Sequence, residues 1–322
     1  MGEFDLIERW FSRPQQPLRR AALGVGDDCA LLTTRPGQQL AVSSDMLVEG
    51  RHFLSTVPPA ALGHKALAVN LSDLAACGAE PLAFSLALAL PRLDESFVEG
   101  FAQGLFALAD ACGIELVGGD TTAGPLNICI TVIGEVPQGQ ALLRSGARAG
   151  DDIWVSGTLG DARLALEAFR GQLQLTQAQF EHTRRAMERP TARLELGRAL
   201  RGVASSAIDL SDGLLGDLSH ILKRSRVGAD IALDLLPRSP VMVAQAAEVQ
   251  VLYTLAGGDD YELLFTAPVR ASDQVLAASR GALTPVTRIG HITAEPGCRV
   301  VRSDGSAWQG VLPKAFDHFA AP

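Results

Sequence analysis

Six short acidic clusters recur along the chain, and four of them follow an apolar segment with the length of a β-strand. The clusters are Gly26-Asp27-Asp28, Ser43-Ser44-Asp45, Leu71-Ser72-Asp73, Gly118-Gly119-Asp120-Thr121-Thr122, Asp209-Leu210-Ser211-Asp212-Gly213 and Gly257-Gly258-Asp259-Asp260. The apolar segments are residues 40–42, 114–117, 207–208 and 252–255. This pattern predicts an α/β fold in which loops at or near the carboxyl ends of strands carry the carboxylates, where such sheets usually bind ligands.

Each cluster alone is typical of a turn, because Asp and Gly are common turn residues. Together they favour metal binding, since Mg²⁺ is usually held by one or two carboxylates with waters and phosphate oxygens. Several Asp side chains converging on one cleft would repel each other without cations. The clusters therefore predict a site that binds several divalent metal ions.

The chain contains neither a Walker A motif nor a G-x-G-x-x-G fingerprint. A glycine-rich loop at residues 156–161, between a predicted strand and a predicted helix, has the composition of a phosphate-binding helix N-terminus. The sequence also has no nucleophile elbow, Ser-His-Asp order or EF-hand loop. If phosphate binds here, metal ions rather than a lysine are expected to neutralise it.

Composition and charge narrow the class of protein. A chain of 322 residues usually forms two domains, and the polar, glycine-rich stretch from residue 137 to 150 predicts a boundary between residues 1–138 and 139–322. The net charge of −8 without a basic stripe argues against nucleic acid as a partner. Five widely spaced cysteines, no signal-peptide pattern and no apolar run long enough for a bilayer predict a soluble cytoplasmic protein with no membrane contact.

Hydrophobic periodicity predicts alternating strands and helices in both halves. Predicted strands are residues 82–90, 127–136, 152–155, 206–209, 261–266 and 286–292, and predicted helices are residues 94–112, 162–169, 178–187, 193–200 and 214–223. Strands 82–90 and 127–136 are apolar almost throughout, whereas a sheet with one covered face needs apolar residues only at alternate positions. We therefore expect a symmetric homodimer that buries the second face.

Longer segments around the clusters resemble those of a known family. They are Gly24-Val25-Gly26-Asp27-Asp28-Cys29-Ala30, Ser44 to Phe53 (SDMLVEGRHF), Asn70 to Pro81 (NLSDLAACGAEP), Gly118 to Thr122 (GGDTT), Asp209 to Gly213 (DLSDG) and Gly257 to Glu262 (GGDDYE). In this order they resemble the thiamine-monophosphate kinase family, which shares a superfamily with aminoimidazole ribonucleotide synthetase and selenophosphate synthetase. The resemblance spans nearly the whole chain.

The resemblance implies an N-terminal ATP-binding, metal-binding and dimerisation domain, whose sheet pairs with its twin into a barrel across a homodimer, followed by a C-terminal α/β domain. It implies that several Mg²⁺ ions are held by Asp28, Asp45, Asp73, Asp120, Asp209 and Asp212. ATP would contact Gly119, Arg144 and Ser211, and thiamine phosphate would contact His52, Glu262 and Phe316. Phe316 stands where the family usually has Trp, so it keeps a stacking face but lacks the indole N–H.

Without the resemblance, several of these residues could have purely structural roles. His52 as a lone histidine is more often structural, Arg144 could cap a loop, and Glu262 could be a solvated strand residue. The expected activity is direct transfer of the terminal phosphoryl group of ATP to thiamine monophosphate. The alternatives are an ATP-dependent synthetase of the same superfamily, acting on aminoimidazole ribonucleotide or selenide, and a non-catalytic metal- or nucleotide-binding protein. A selenide enzyme is disfavoured because the first cysteine is Cys29 and no lysine precedes Lys65.

Overall fold

A computed structural model describes residues 3–13, 20–25, 29–302 and 305–310. The chain divides into two compact units. The N-terminal unit comprises Met1–Leu74 and Ala79–Gly139, and the C-terminal unit comprises Ala75–Gly78 and Gln140–Pro322. Each unit has its own sheet, so the chain has the mixed α/β, two-domain architecture that the sequence predicts.

The N-terminal unit is built around a four-stranded sheet with two long helices. Its elements are α1 (Glu3–Leu6), a π-helical turn (Ile7–Phe11), β1 (Ala21–Leu23), β2 (Leu31–Leu32), β3 (Gln38–Val48), α2 (Pro59–Cys77), β4 (Glu80–Leu90), α3 (Glu95–Cys112), β5 (Glu115–Ala123) and β6 (Asn127–Pro137). The strand order is β3-β6-β4-β5, in which β4 and β5 run parallel and the other pairs antiparallel.

Helix α3 confirms its prediction and shows why the sequence forms it. The Asp94 side chain caps the first turn by accepting the backbone N–H of Phe97, and Gly113 ends the helix in the left-handed conformation. Phe101 and Leu105, one turn apart, are fully buried. Capping and burial of one face together specify this helix.

The four-stranded sheet has one covered face and one open face, because side chains alternate along each strand. On β3, Leu47 is buried whereas Val42 and Met46, which point the other way, are 61% and 54% exposed. On β4, Leu86 and Leu88 are buried and Ala87 between them is exposed. The open face thus exposes apolar side chains to solvent.

A buried ion cluster closes one end of this sheet. The carboxylate of Glu135 on β6 accepts hydrogen bonds from Arg20 and Arg35 at 2.8 Å each. Burial opposes ionisation of Glu135, but these two arginines outweigh it and lower the pKa of the carboxyl. The cluster joins the segments on either side of β1 and β2 to the long strands.

The C-terminal unit contains a six-stranded sheet and the remaining helices. Its elements are β7 (Asp151–Ser156), α4 (Asp161–Phe169), α5 (Gln177–Glu188), α6 (Leu194–Ala199), β8 (Ser206–Asp209), α7 (Leu214–Ser225), β9 (Gly228–Ala232), α8 (Pro240–Val243), α9 (Ala247–Ala256), β10 (Leu263–Pro268), α10 (Ser272–Gly281), β11 (Val286–Thr293) and β12 (Gly297–Val301). The strand order is β12-β9-β11-β7-β10-β8, and the pairs are antiparallel except β12 with β9.

Two expectations about the acidic clusters are wrong. Residues 252–255 belong to helix α9, where the buried Leu255 follows Val251 at helical spacing and Leu252 is 45% exposed. Four apolar residues in a row cannot distinguish a strand from a helix. Asp45, Asp73 and Asp120 also do not lie on loops, since the strands that carry Asp45 and Asp120 continue beyond them and Asp73 lies within α2.

In the ranges that the structure describes, no helix combines the length and the apolar character needed to cross a membrane. None of the five cysteines, all of which the structure describes, forms a disulfide bond.

Candidate functional site

The N-terminal unit brings Asp45 and Asp73 together through α2 and β3. The Ser43 hydroxyl on β3 donates to Asp73 Oδ2 at 2.5 Å. Asn70, one helical turn before Asp73, accepts the backbone N–H of Asp45 on its Oδ1 at 3.0 Å. Both carboxylates therefore belong to one polar patch where α2 crosses the covered face of the sheet.

Asp120 lies elsewhere on the same sheet. The pairing register joins Asp45 to Ile130, Ile130 to Leu86 and Leu86 to Gly119 in one row across the four strands. Asp120 stands one residue beyond this row, so its side chain points to the open face, opposite to that of Asp45. The structure therefore does not bring Asp120 together with Asp45 and Asp73 within one chain.

Gly119 stands at a position where only glycine fits. It has a φ of +152°, and a Cβ at this position would lie 1.8 Å from the carbonyl oxygen of Leu86 on β4. No side chain fits between the two strands here. Gly119 therefore offers only backbone groups, as the predicted ATP contact requires.

His52 is held by the backbone that precedes it. Its ring Nδ1 accepts the backbone N–H of Val48 at 3.0 Å, and the backbone N–H of His52 donates to the Val48 carbonyl at 3.0 Å. In the neutral ring the proton must then reside on Nε2. His52 is half-buried, and its tautomer is fixed by this local turn.

In the C-terminal unit three aspartates lie near the start of α7. Asp209 ends β8, Asp212 lies in the following turn, and Asp217 accepts the backbone N–H groups of Asp212 and Gly213 at 3.1 Å each. Burial, together with the charges of Asp209 and Asp212, raises the pKa of Asp217 to about 8. Negative charge is therefore concentrated here beyond what these backbone N–H groups compensate.

The loop from residue 257 to 262 lies against this turn. The backbone N–H of Asp259 donates to the Ser211 carbonyl, and that of Tyr261 donates to the Leu210 carbonyl, at 2.8 Å each. Asp259 and Tyr261 have φ values of +63° and +52°, a left-handed conformation that is unusual for side-chain-bearing residues. Such strain is found mostly at functional sites.

Glu262 follows this loop and is buried, 5% exposed. Its carboxylate accepts two hydrogen bonds from the Arg193 guanidinium, at 2.7 and 2.5 Å, and one from the Ser156 hydroxyl at 2.5 Å. The interpretation of Glu262 as a solvated strand residue is therefore wrong, because β10 starts after it and its side chain points inward.

The glycine-rich loop at residues 156–161 already uses its backbone donors within the unit. The N–H of Gly157 donates to the Pro285 carbonyl and that of Leu159 to the Pro237 carbonyl, at 3.0 and 3.1 Å. The N–H of Gly160, at the start of α4, donates to the Asp260 carboxylate at 2.8 Å. A carboxylate of the chain itself thus occupies the position predicted for phosphate.

Arg144 has an exposed side chain, and its backbone is fixed by α7. The Ser225 hydroxyl, at the end of α7, donates to the Arg144 carbonyl at 3.3 Å and accepts the N–H of Gly146 at 3.1 Å. Ser211, which precedes the start of α7, is also exposed. Asp28 and Phe316 lie outside the described residues.

The donor set suits Mg²⁺, because the clustered side chains offer carboxylate and hydroxyl oxygens. Among residues 3–13, 20–25, 29–302 and 305–310, no three His, Cys, Asp or Glu side chains come together closely enough to hold a metal unaided. Asp209 and Asp212 beside Asp217 are a cradle that a cation would stabilise. Additional ligands would have to come from water or from bound phosphates.

Sequence reasoning missed three polar residues of these clusters: Asn70, Arg193 and Asp217. Asn70 lies inside α2, three residues before Asp73, and that helical spacing could have identified it from the sequence. Asp217 lies inside α7 but Asp212 precedes that helix, so helical spacing does not link the two. Arg193 is 69 residues from Glu262, so nothing local signals their contact.

Comparison with known proteins identifies the family of this chain. Residues 26–136 match the family model of the AIR synthase related protein, N-terminal domain, and residues 148–303 match that of its C-terminal domain. Thiamine-monophosphate kinase of Salmonella typhimurium is 46% identical over 330 aligned residues, which cover 100% of this chain and 99% of the relative.

Two solved structures extend the likeness to three dimensions. The thiamine-monophosphate kinase of Stenotrophomonas maltophilia K279a matches with a TM-score of 0.84 and 44% identity, covering 95% of this chain and 96% of that one. AaThiL, solved in complex with AMPPCP and TMP, matches with a TM-score of 0.77 and 30% identity, covering 98% and 96%.

Proposed function

The chain belongs to the thiamine-monophosphate kinase family, and from this premise we propose that it transfers the terminal phosphoryl group of ATP to thiamine monophosphate. The products are ADP and thiamine diphosphate. The observation that carries the proposal is the likeness over the whole chain to such kinases, one of which was solved with AMPPCP and TMP. Relatives at 46% and 44% identity are thiamine-monophosphate kinases, which favours this substrate over those of a synthetase.

ATP is bound by Gly119, Arg144 and Ser211, with residues 1–138 as the ATP- and metal-binding domain and 139–322 as the C-terminal α/β domain. The tight packing of Gly119 on Leu86 supports a backbone contact, and the exposed side chains of Arg144 and Ser211 support polar contacts. Arg144 and Ser211 lie beside opposite ends of α7, a helix of 12 residues. A helix of that length measures roughly 18 Å, which suits an extended ligand such as ATP.

Several Mg²⁺ ions take part, held by Asp28, Asp45, Asp73, Asp120, Asp209 and Asp212. When bound, Mg²⁺ neutralises the phosphates of both substrates and so lowers the repulsion between them. The patch of Asp45 and Asp73, and the cradle of Asp209 and Asp212, each offer two of these carboxylates close together. Oxygen atoms of the substrate phosphates would supply the further ligands that Mg²⁺ prefers.

Thiamine monophosphate is bound by His52, Glu262 and Phe316. The fixed tautomer of His52 leaves Nε2–H as a donor, which suits a phosphate oxygen. An oxygen of the substrate phosphate attacks the terminal phosphorus of ATP, and the bond from that phosphorus to ADP breaks. Transfer is direct, because catalysis of this kind needs positioning and charge neutralisation rather than a protein nucleophile.

The test is turnover by the purified protein with ATP and Mg²⁺, followed by chromatography of the thiamine and adenine products. Thiamine diphosphate and ADP should form in equal amounts. Parallel reactions offer aminoimidazole ribonucleotide precursors or selenide in place of thiamine monophosphate. ATP consumption with one of these and none with thiamine monophosphate would overturn the proposal in favour of a synthetase.

The protein forms a homodimer through the open face of the four-stranded sheet, whose two copies close into a barrel. The exposed side chains of Val42 and Met46 on this face support the proposal, because an apolar sheet face is normally covered.

Sedimentation should give a dimer at micromolar concentration. Val42→Glu should dissociate it, whereas Leu143→Glu, at a residue of the C-terminal unit with similar exposure of 56%, should not. A monomeric wild-type protein would contradict the proposal.

The protein works in the cytoplasm, where ATP is available. Its five reduced cysteines support this placement, since thiols persist in a reducing compartment.

A further inference from the structure

Arg193 and Glu262 form a two-pronged ion pair that the sequence does not suggest. Nε and a terminal guanidinium nitrogen of Arg193 each donate to a different carboxylate oxygen, at 2.7 and 2.5 Å. The side chains are only 22% and 7% exposed. Such parallel hydrogen bonds fix the plane of a carboxylate as well as its position.

The remaining contacts of Glu262 leave the carboxylate little freedom. The Ser156 hydroxyl donates to Oε2 at 2.5 Å and in turn accepts the backbone N–H of Leu263 at 2.8 Å. A Cβ on Gly157 would lie 2.0 Å from Oε1, so the carboxylate fills the space above that glycine. Glu262 therefore sits in a fitted cavity bounded by β7, β10 and Arg193.

The charge of Glu262 also needs a partner. Burial raises the pKa of Asp260 well above its ordinary value, and the negative charge of nearby Glu262 raises it further by repulsion. Arg193 counters this repulsion, because its cation lies directly on the Glu262 carboxylate. Removing Arg193 would leave a buried carboxylate beside a second acid, which drives such a group to move or to take up a proton.

We propose that Arg193 is a positioning residue for the substrate site. It keeps the Glu262 carboxylate charged and in the orientation that contacts thiamine monophosphate. The inference rests on the proposed function, in which Glu262 is a substrate contact. Arg193 itself touches Glu262 rather than the substrate. It therefore controls affinity for thiamine monophosphate and leaves the binding of ATP unchanged.

The experiment compares Arg193→Gln, Glu262→Gln and the double variant with wild type. Arg193→Gln should raise KM for thiamine monophosphate about tenfold or more, while KM for ATP and kcat change by less than about twofold. Glu262→Gln should show the same pattern. The double variant should be no worse than the poorer single variant, because both changes disable one contact.

Arg184→Gln is the matched control. Arg184 also pairs with a largely buried glutamate of the C-terminal unit, Glu188, at 2.9 Å, but far along the chain from Glu262. This variant should keep both KM values. If Arg193→Gln fails to fold, Arg193→Lys serves instead, since it keeps the charge but not the two-pronged geometry, and it should raise KM for thiamine monophosphate by a smaller factor.

A merely structural role gives a different result. It would lower kcat by reducing the folded fraction, with both KM values unchanged, and that outcome would overturn the inference while the proposed function stands. Calorimetric binding of thiamine monophosphate, measured without ATP, separates the two ideas further. Weaker binding by Arg193→Gln supports the inference, equal binding overturns it, and wild-type protein that does not bind thiamine monophosphate overturns both.

Discussion

Asn70 accepts the backbone N–H of Asp45 on its Oδ1 at 3.0 Å, although the two residues lie 25 positions apart in the chain. Asn70 is 1% exposed, and its amide also donates to the Ala66 carbonyl at 2.9 Å. A buried side chain of α2 therefore fixes the strand that carries one of the proposed metal ligands. The identity of Asn70 matters for the site even though it is not itself a proposed ligand.

We expect Asn70→Leu, a change of similar volume, to destabilise the protein by about 1–3 kcal/mol, because the Asp45 N–H would stay buried without its partner. Activity at limiting Mg²⁺ should fall further than activity at saturating Mg²⁺. Denaturant unfolding and a Mg²⁺ titration measure the two effects. Asn127→Leu, at a half-buried asparagine of the same unit, is the control, and equal losses in both variants would count against a specific role.

Gly119→Ala should be severely disruptive. The new Cβ would meet the Leu86 carbonyl oxygen at 1.8 Å, so β4 and β5 must separate, at a cost of about 2 kcal/mol or more. The neighbouring Gly118→Ala is the control, because nothing lies within 4 Å of a Cβ there. Thermal unfolding of the two variants measures the difference. Similar melting temperatures would contradict the close approach of these strands.

Asp217→Asn should stabilise the metal-free protein increasingly at high pH. The pKa of Asp217 is about 8 in the folded protein, against an ordinary value of 3.8, so the unfolded chain releases this proton first. Asp217 therefore costs no stability below about pH 4 and lowers stability progressively up to about pH 8. Asparagine carries no such charge, so the advantage of the variant should grow over that range.

Melting temperatures at about pH 5 and about pH 9 in a chelating buffer measure this effect, with a rise of about 2 °C or more at the higher pH. Asp273→Asn, an exposed acid in the first turn of α10, is the control and should show no growing advantage. Added Mg²⁺ should shrink the effect at Asp217 if Asp209 and Asp212 bind it. A constant difference at both pH values would refute the raised pKa.

Asp73→Asn should abolish most of the activity and leave the fold intact. The amide oxygen can still accept from Ser43, but it lacks the charge that holds Mg²⁺. Circular dichroism checks the fold and the kinase assay checks activity. Asp110→Asn, which removes an exposed partner of Arg13, should keep full activity. Full activity of Asp73→Asn at limiting Mg²⁺ would remove Asp73 from the metal site.

Phosphoryl transfer should take place in one step without a phosphoenzyme. Protein incubated with γ-labelled ATP and Mg²⁺, but without thiamine monophosphate, should carry no label. The transferred phosphorus should be inverted in configuration, because one in-line displacement inverts it. A label that can be chased into product, together with retention, would instead require an aspartate to carry the phosphoryl group.

The long elements with repeated apolar spacing were predictable from sequence. Helix α3 and strands β4 and β6 each carry enough periodic residues to define both their type and their buried face. The segment 252–255 was wrongly predicted because four residues carry no period, whereas its helix packs Val251 and Leu255 against the C-terminal core. Strand β10 starts two residues later than predicted because Tyr261 takes a left-handed conformation that no local pattern reveals.

The sequence nominates candidate site residues but does not predict their arrangement. The resemblance named Asp45, Asp120 and Glu262, yet the face on which Asp120 points depends on a register across four strands. Likewise, the glycines of the loop at 156–161 resemble a phosphate-binding turn. Only the fold reveals that the Asp260 carboxylate already accepts the backbone N–H of Gly160, at the start of α4. Long-range pairing decides both results, and a single sequence does not encode it locally.

Strand β3 pairs along its whole length with β6, from Gln38 opposite Pro137 to Val48 opposite Asn127. During synthesis, β3 therefore cannot form these hydrogen bonds until β6 has been translated. The partner strand is translated some ninety residues later, a delay of about 5–20 s at ordinary elongation rates. During that interval β3 has left the ribosome with its apolar residues and backbone donors unmatched. The nascent N-terminal unit is therefore most exposed to aggregation before Pro137 emerges, and it completes its sheet late rather than strand by strand.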